Sequence, residues 1–138
     1  MSATIVIAGA GQLGSRYLQG MVNCRNTLDI YVYDISEQSL QVAKQRWKQV
    51  FKTAATSLRG ELTESGVQHK VTLLTSFEKI PTQIDIAIVA TNADARPNVV
   101  KQILTNSTVR YWVLEKVLAQ SVTALDEILS LTQNSLGA

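Results

Sequence analysis

Three small groups of residues have the types and spacing for chemistry on a bound molecule. The first is Gly9-Ala10-Gly11-Gln12-Leu13-Gly14, which follows the apolar run Ile5-Val6-Ile7-Ala8 and opens a helical pattern. In a Gly-x-Gly-x-x-Gly turn of this kind, Gly9 allows the tight exit from the strand and Gly11 leaves room for a pyrophosphate. Gly14 lets the helix approach the strand closely. The phosphates of a dinucleotide would then sit on free N–H groups at the helix start, which includes Gln12 and Leu13. The second group is Asp34, 20 residues after Gly14 and directly after the strand-like Leu28-Asp29-Ile30-Tyr31-Val32-Tyr33. A carboxylate there accepts the hydroxyls of an adenosine ribose and repels a 2′-phosphate, which favours NAD over its phosphorylated form. The same Asp34 also reads as a cap for the helix that follows. The third group gathers at two later strand ends: Thr91-Asn92 after Ile84–Ala90, and Glu115-Lys116 after Val109–Leu114. Open parallel sheets bind ligands outside the carboxyl ends of their strands, so Thr91 and Asn92 are placed to line a cofactor crevice and Glu115 and Lys116 to reach its nicotinamide side. The alternatives are a plain strand-to-helix turn capped by Asp94, and a surface ion pair at Glu115 and Lys116.

These groups need a frame that delivers them to one edge, and the chain alternates strand and helix as such a frame requires. A strand over Thr4 to Ala8 leads into a helix with Leu13, Tyr17, Leu18, Met21 and Val22 at helical spacing, broken by Asn23 to Thr27. After Asp34, Ser36 is a suitable N-cap, and Leu40, Ala43, Trp47, Val50, Phe51, Ala54 and Leu58 predict one apolar stripe from about Glu37 to Leu58. The stretch from Arg59 to Leu62 is expected to form a second short helix before Gly66. Val71–Leu74 predicts a short strand, Ser76–Lys79 a turn, and Pro81 a stop before the β-branched run Ile84–Ala90. Helices from Ala95 to Leu104, with Pro97 in the first turn, and from Ser121 to Thr132 flank the fifth strand. The expected architecture is α/β: one domain over residues 1–138, a doubly wound parallel sheet of the Rossmann type with strand order 3-2-1-4-5.

Composition narrows the function classes. The chain has 138 residues, 46% hydrophobic and 17% charged, enough for one ordinary globular core. A net charge of +2, scattered along the chain, gives no nucleic-acid surface. No apolar run approaches the roughly 20 residues of a membrane span. Cys24 is the only cysteine, which excludes an internal disulfide and a cysteine-rich zinc site, and with no secretory signal this reads as a cytoplasmic chain. No metal site is expected. His69 is the only histidine, and in its polar setting it reads as a surface residue. Trp47 and Phe51, four apart on the apolar stripe, read as core, and Lys44, Arg46, Lys48 and Lys52 as the solvated face of that helix.

Taken in order, Gly9–Gly14, Tyr33-Asp34, Val89-Ala90-Thr91-Asn92 and Leu114-Glu115-Lys116-Val117-Leu118-Ala119 give a sequence that resembles the N-terminal domain of the glucose–fructose oxidoreductase and inositol dehydrogenase family. The resemblance covers nearly the whole chain. Glu115-Lys116 matches that family's Glu-Lys-Pro segment, in which the lysine lies at the catalytic centre; Val117 replaces the proline, and Arg96 stands about where many members have a histidine that shapes the crevice. The resemblance implies NAD as cofactor, Lys116 as the catalytic residue, and hydride transfer to or from a hydroxyl carbon of a sugar, cyclitol or related polyol. It also implies a second, substrate-binding domain that this chain lacks, so the chain is expected to be the cofactor half of an oxidoreductase, inactive alone, with homo-oligomers possible for such proteins. A stand-alone NAD-sensing module without catalysis is the other reading. A short-chain dehydrogenase is disfavoured because no Tyr-x-x-x-Lys occurs.

Overall fold

A computed structural model describes residues 2–57, 69–116 and 118–133. Five strands, β1 (Ala3–Ala8), β2 (Leu28–Tyr33), β3 (Lys70–Leu74), β4 (Gln83–Val89) and β5 (Thr108–Leu114), form one sheet in the order β3-β2-β1-β4-β5. Every pairing in it is parallel. The described helices are α1 (Gln12–Gly20), followed by a 3-10 turn at Met21–Asn23, then α2 (Glu37–Ser57), α3 (Arg96–Asn106) and α4 (Val122–Thr132). Fold class and strand order are those the sequence predicts.

Strand periodicity divides the core in two. Ile5 and Ile7 of β1 face one side with Ile30, Val32 and Ile88, and bury Leu18 of α1 and Leu40, Ala43 and Trp47 of α2. Val6 and Ala8 face the other side with Ala87, Val89 and Trp112, and bury Val99, Val100 and Ile103 of α3. Each fully buried valine or isoleucine here contributes about 1.5–3 kcal/mol relative to exposure. Tyr33 stacks on Phe77 in the second layer, with ring centroids 3.7 Å apart, and so covers the turn before β4.

The register sets up the site. Ala8 pairs with Tyr33 and with Val89, Tyr33 with Leu74, and Val89 with Leu114, so these residues form one row across the sheet. Gly9, Asp34, Ala90-Thr91 and Glu115 therefore leave the sheet side by side. The first three belong to neighbouring strands on both sides of β1, where the winding reverses.

Some expectations need correction. Arg46 is not part of the solvated face of α2: its guanidinium donates to Ser15 Oγ at 3.2 Å and its carbonyl accepts from Gln19 Nε2 at 3.4 Å, which ties α2 to α1. Lys44 and Lys48 are exposed as expected. His69 is half-buried: Nδ1 accepts from the Leu28 N–H at 3.1 Å and the ring meets Trp47 edge-on. Burial holds its pKa below the usual histidine value. Asp94 does not cap α3, whose N-cap is Ala95 without a side-chain hydrogen bond. Ser36 and Ser121 do cap their helices, accepting from Ser39 and Ala124 N–H. The short helix expected at 59–62, Leu58, Val117 and residues 134–138 lie outside the described residues, as do the side chains of Phe51, Lys52 and Ala54.

Candidate functional site

The glycine turn is built by close backbone approach. Gly9 has φ +104°, and a Cβ there would lie 2.9 Å from the carbonyl of Ala90, so only glycine fits between β1 and β4. A Cβ on Gly14 would lie 1.7 Å from the carbonyl oxygen of Gly9, which explains how α1 starts directly over the strand end. Gly11 differs from both, since a Cβ there meets nothing within 4 Å and projects into open space. Gly11 is the N-cap of α1 and no side chain caps that helix start. The N–H groups of the first turn, from Gln12 on, thus remain for an anion.

Asp34 closes the turn from the β2 side. Its Oδ2 accepts from the Ala10 N–H at 2.7 Å and its Oδ1 from the Ser36 N–H at 2.8 Å. The carboxylate therefore shapes the approach to α2 and holds the glycine loop. An ionised carboxylate accepts about four hydrogen bonds, so each oxygen keeps capacity for a ribose hydroxyl. Beside it opens a cavity of about 300 Å³ lined by Gly9, Asp34, Ile35, Thr91, Asn98 and Gln102, among others. Thr91 Oγ1 is buried at this crevice and has no hydrogen-bond partner among the described residues. Leaving such a hydroxyl unsatisfied costs about 1–3 kcal/mol, which points to a polar ligand as its partner. These three observations, the uncapped helix start, the open space at Gly11 and the orphaned Thr91 hydroxyl, fit a dinucleotide.

The second centre lies after β5. Arg96 is only 1% exposed; its guanidinium donates to the Thr91 carbonyl at 2.9 Å and to the Leu118 carbonyl at 2.8 Å. Burial lowers its pKa from the usual arginine value, and the negative field of Glu115 acts the other way. The Glu115 carboxylate accepts a hydrogen bond from the Tyr17 hydroxyl of α1. That bond, with burial and the charge of Glu115 adding to it, raises the Tyr17 pKa above the ordinary tyrosine value.

A raised folded-state pKa means that the protonated phenol contributes stability fully below the unfolded value of about 10, and loses it as pH rises through the folded pKa. Tyr31, mainly through burial, also titrates late. Ultraviolet titration of tyrosinate should therefore show a late step, above the ordinary tyrosine range, and Tyr17→Phe should reduce its amplitude. An unchanged late step would count against the Tyr17–Glu115 bond.

The structure thus brings Gly9, Asp34 and Thr91 onto one cavity and sets Gly11, Gln12, Leu13 and Gly14 at the uncapped start of α1. Leu13 is 42% exposed, and Asn92 is exposed with its carbonyl accepting from the Ala95 N–H. Glu115 faces Tyr17, and Lys116 is exposed beside it. Ile35, Asn98 and Gln102 were not read from the sequence as site residues; the last two lie four apart on α3, and that polar spacing after a strand end was the available signal.

A family model described as an oxidoreductase family with an NAD-binding Rossmann fold, the Gfo/Idh/MocA group, matches residues 3–135. The chain belongs to this family. Its cofactor is accordingly NAD, and the chain is an NAD-binding Rossmann domain of that family. Curated protein sequences give no match. Among solved structures, an oxidoreductase from Bacillus cereus aligns over 99% of this chain and 33% of its own, with TM-score 0.59 and 15% identity. Malate dehydrogenase from Salinibacter ruber aligns over 90% of this chain and 40% of its own, with TM-score 0.58 and 16% identity. Scyllo-inositol dehydrogenase from Lactobacillus casei, solved with NAD(H) and scyllo-inositol, aligns over 96% of this chain and 33% of its own, with TM-score 0.55 and 14% identity. At these identities the likeness is one of fold, and the chain spans 33% to 40% of the length of these three structures. Among the described residues no helix is long and apolar enough to cross a membrane.

Proposed function

We propose that this domain holds NAD across the crevice between β1, β2 and β4 for hydride exchange with a hydroxyl carbon of a sugar, cyclitol or related polyol. The observation that carries the reading is the convergence of Gly9, Asp34 and Thr91 on one cavity beside the uncapped start of α1. Gly11, Gln12, Leu13 and Gly14 take the pyrophosphate on backbone N–H groups, and Asp34 takes the adenosine ribose. Thr91 and Asn92 line the middle of the crevice, and Glu115 and Lys116 stand toward its nicotinamide end. NAD supplies the hydride chemistry; the protein orients it and handles the proton. Lys116 is the catalytic residue in this reading, since an ammonium beside the reacting hydroxyl favours the developing alkoxide or relays its proton. The polyol class is supported by family membership and by the inositol seen in the Lactobacillus casei enzyme. A second domain outside these residues completes the substrate pocket, in keeping with the greater length of the matched structures. The setting proposed is the cytoplasm.

Calorimetric titration with NADH and NADPH tests the cofactor half of this proposal. NADH should bind at least about tenfold more tightly, because a 2′-phosphate meets the charge of Asp34 and lacks the hydroxyl that the carboxylate accepts. Asp34→Ala should narrow that ratio by removing both effects, although it also frees the Ala10 N–H. Equal or tighter binding of NADPH by the parent chain would overturn the assignment of Asp34.

A further inference from the structure

Tyr17, Arg96 and Glu115 come from three separate parts of the chain, and together they hold the stretch that carries Lys116. The Glu115 carboxylate is fixed by Tyr17 of α1, the Leu118 carbonyl by Arg96 of α3, and the Glu115 N–H donates to the Val89 carbonyl of β4 at 3.4 Å. Lys116 stands between those anchors. Arg96 bonds the Thr91 carbonyl as well, so one guanidinium joins the segment after β5 to the residue whose hydroxyl is orphaned in the crevice.

A cation buried this deeply is uncommon and costs desolvation free energy. Buried ionic groups are poor devices for plain stability, since apolar residues of similar volume often serve as well or better. What the guanidinium does provide here is geometric: its planar fork reaches two backbone carbonyls in fixed directions, and both belong to strand-end loops at the crevice. Tyr17 extends the arrangement to α1, the helix whose start faces the pyrophosphate. We infer that Tyr17 and Arg96 are positioning residues that hold Glu115 and Leu118 so that Lys116 is presented to the nicotinamide end of the site. The inference rests on the proposed NAD reading for its purpose, while the tethers themselves are independent of it.

The test uses the 138-residue chain and the variants Tyr17→Phe and Arg96→Lys. In the absence of ligand, hydrogen exchange at the Glu115 amide, which donates to the Val89 carbonyl, should quicken at least about tenfold in each variant, with β1 and β4 amides unchanged. Exchange as slow as the parent's in Tyr17→Phe, the variant least disturbing to the fold, would overturn the inference. The second readout separates positioning from simple bracing. With lysines labelled by reductive 13C-methylation and the Lys116 signal assigned through Lys116→Arg, saturating NADH should shift that signal in the parent, and less than half as far in both variants. ADP-ribose, which lacks the nicotinamide, should bind the variants within about twofold of the parent because the glycine turn and Asp34 are untouched. A full NADH-induced shift in variants with quickened exchange would make the tethers structural only and would also overturn the inference. No shift in the parent at saturating NADH would instead remove Lys116 from the nicotinamide end, sinking the functional assignment while the exchange data still judge the tethers.

Discussion

Gly14→Ala is expected to lower the melting temperature of this domain by at least about 10 °C, the largest stability effect of any single methyl addition at the site. The methyl carbon would have to occupy a point 1.7 Å from the carbonyl oxygen of Gly9. That oxygen belongs to backbone, and Gly9 is itself confined, with φ +104° and its own missing Cβ space taken by Ala90. Relief must therefore come from moving α1 off β1, which would disturb the packing of Leu18 against Ile5 and Ile7 in the first core layer. Overpacking into well-filled space typically costs about 1–3 kcal/mol, and a clash against confined backbone belongs at or beyond the top of that range. The gain in helix propensity from glycine to alanine, about 1 kcal/mol, offsets only part of it. Thermal melting followed by circular dichroism measures the outcome, and a midpoint within about 2 °C of the parent would mean that the turn relaxes more easily than its geometry implies.

The contrast between local and distant information explains which parts of this site were legible in the sequence. The turn made by Gly9 and Gly14, and the place of Asp34 beside it, were readable because each sits within a strand–turn–helix unit whose spacing is fixed by covalent geometry. The strand ends followed from β-branched runs that are nearly continuous, and the observed boundaries lie within a residue or two of those expected. Arg96 was legible only as a departure from the family's histidine, since a cation in the first turn of a helix ordinarily points to water. Its burial depends on the carbonyls of Thr91 and Leu118, neither of which carries a side-chain signature. Tyr17 read as one more apolar position of α1, and its partner Glu115 is 98 residues away. Arg46 and His69 were misread for the same reason: periodicity reports which face of an element a residue occupies, while Ser15 and the Leu28 N–H, which partner them, arrive from other elements. The double duty of Asp34 was also invisible, because the sequence cannot show that the Ala10 N–H points at it.

Gly11→Val should weaken NADH binding at least about 100-fold while leaving the fold intact, and it is the sharpest test of the glycine turn as a cofactor cradle. The backbone at Gly11 has φ −70° and ψ −162°, an extended conformation open to a β-branched residue, and the added carbon meets no neighbour within 4 Å. The Cβ position is therefore open, and the melting temperature should stay within a few degrees of the parent. In the proposed reading, the isopropyl group takes space that the pyrophosphate needs at the uncapped start of α1. A pyrophosphate excluded from it loses two or more charge-assisted hydrogen bonds of about 1.5–3 kcal/mol each, and about 2.7 kcal/mol already corresponds to 100-fold in Kd. Paired with Gly14→Ala, the experiment distinguishes two roles within one motif: at Gly14 the missing side chain makes room for the protein's own backbone, and at Gly11 it makes room for a ligand. Isothermal titration of NADH against a folded Gly11→Val chain decides the second role. Binding equal to the parent's would leave Gly9 to Gly14 as a tight turn alone and would move the cofactor's phosphates elsewhere.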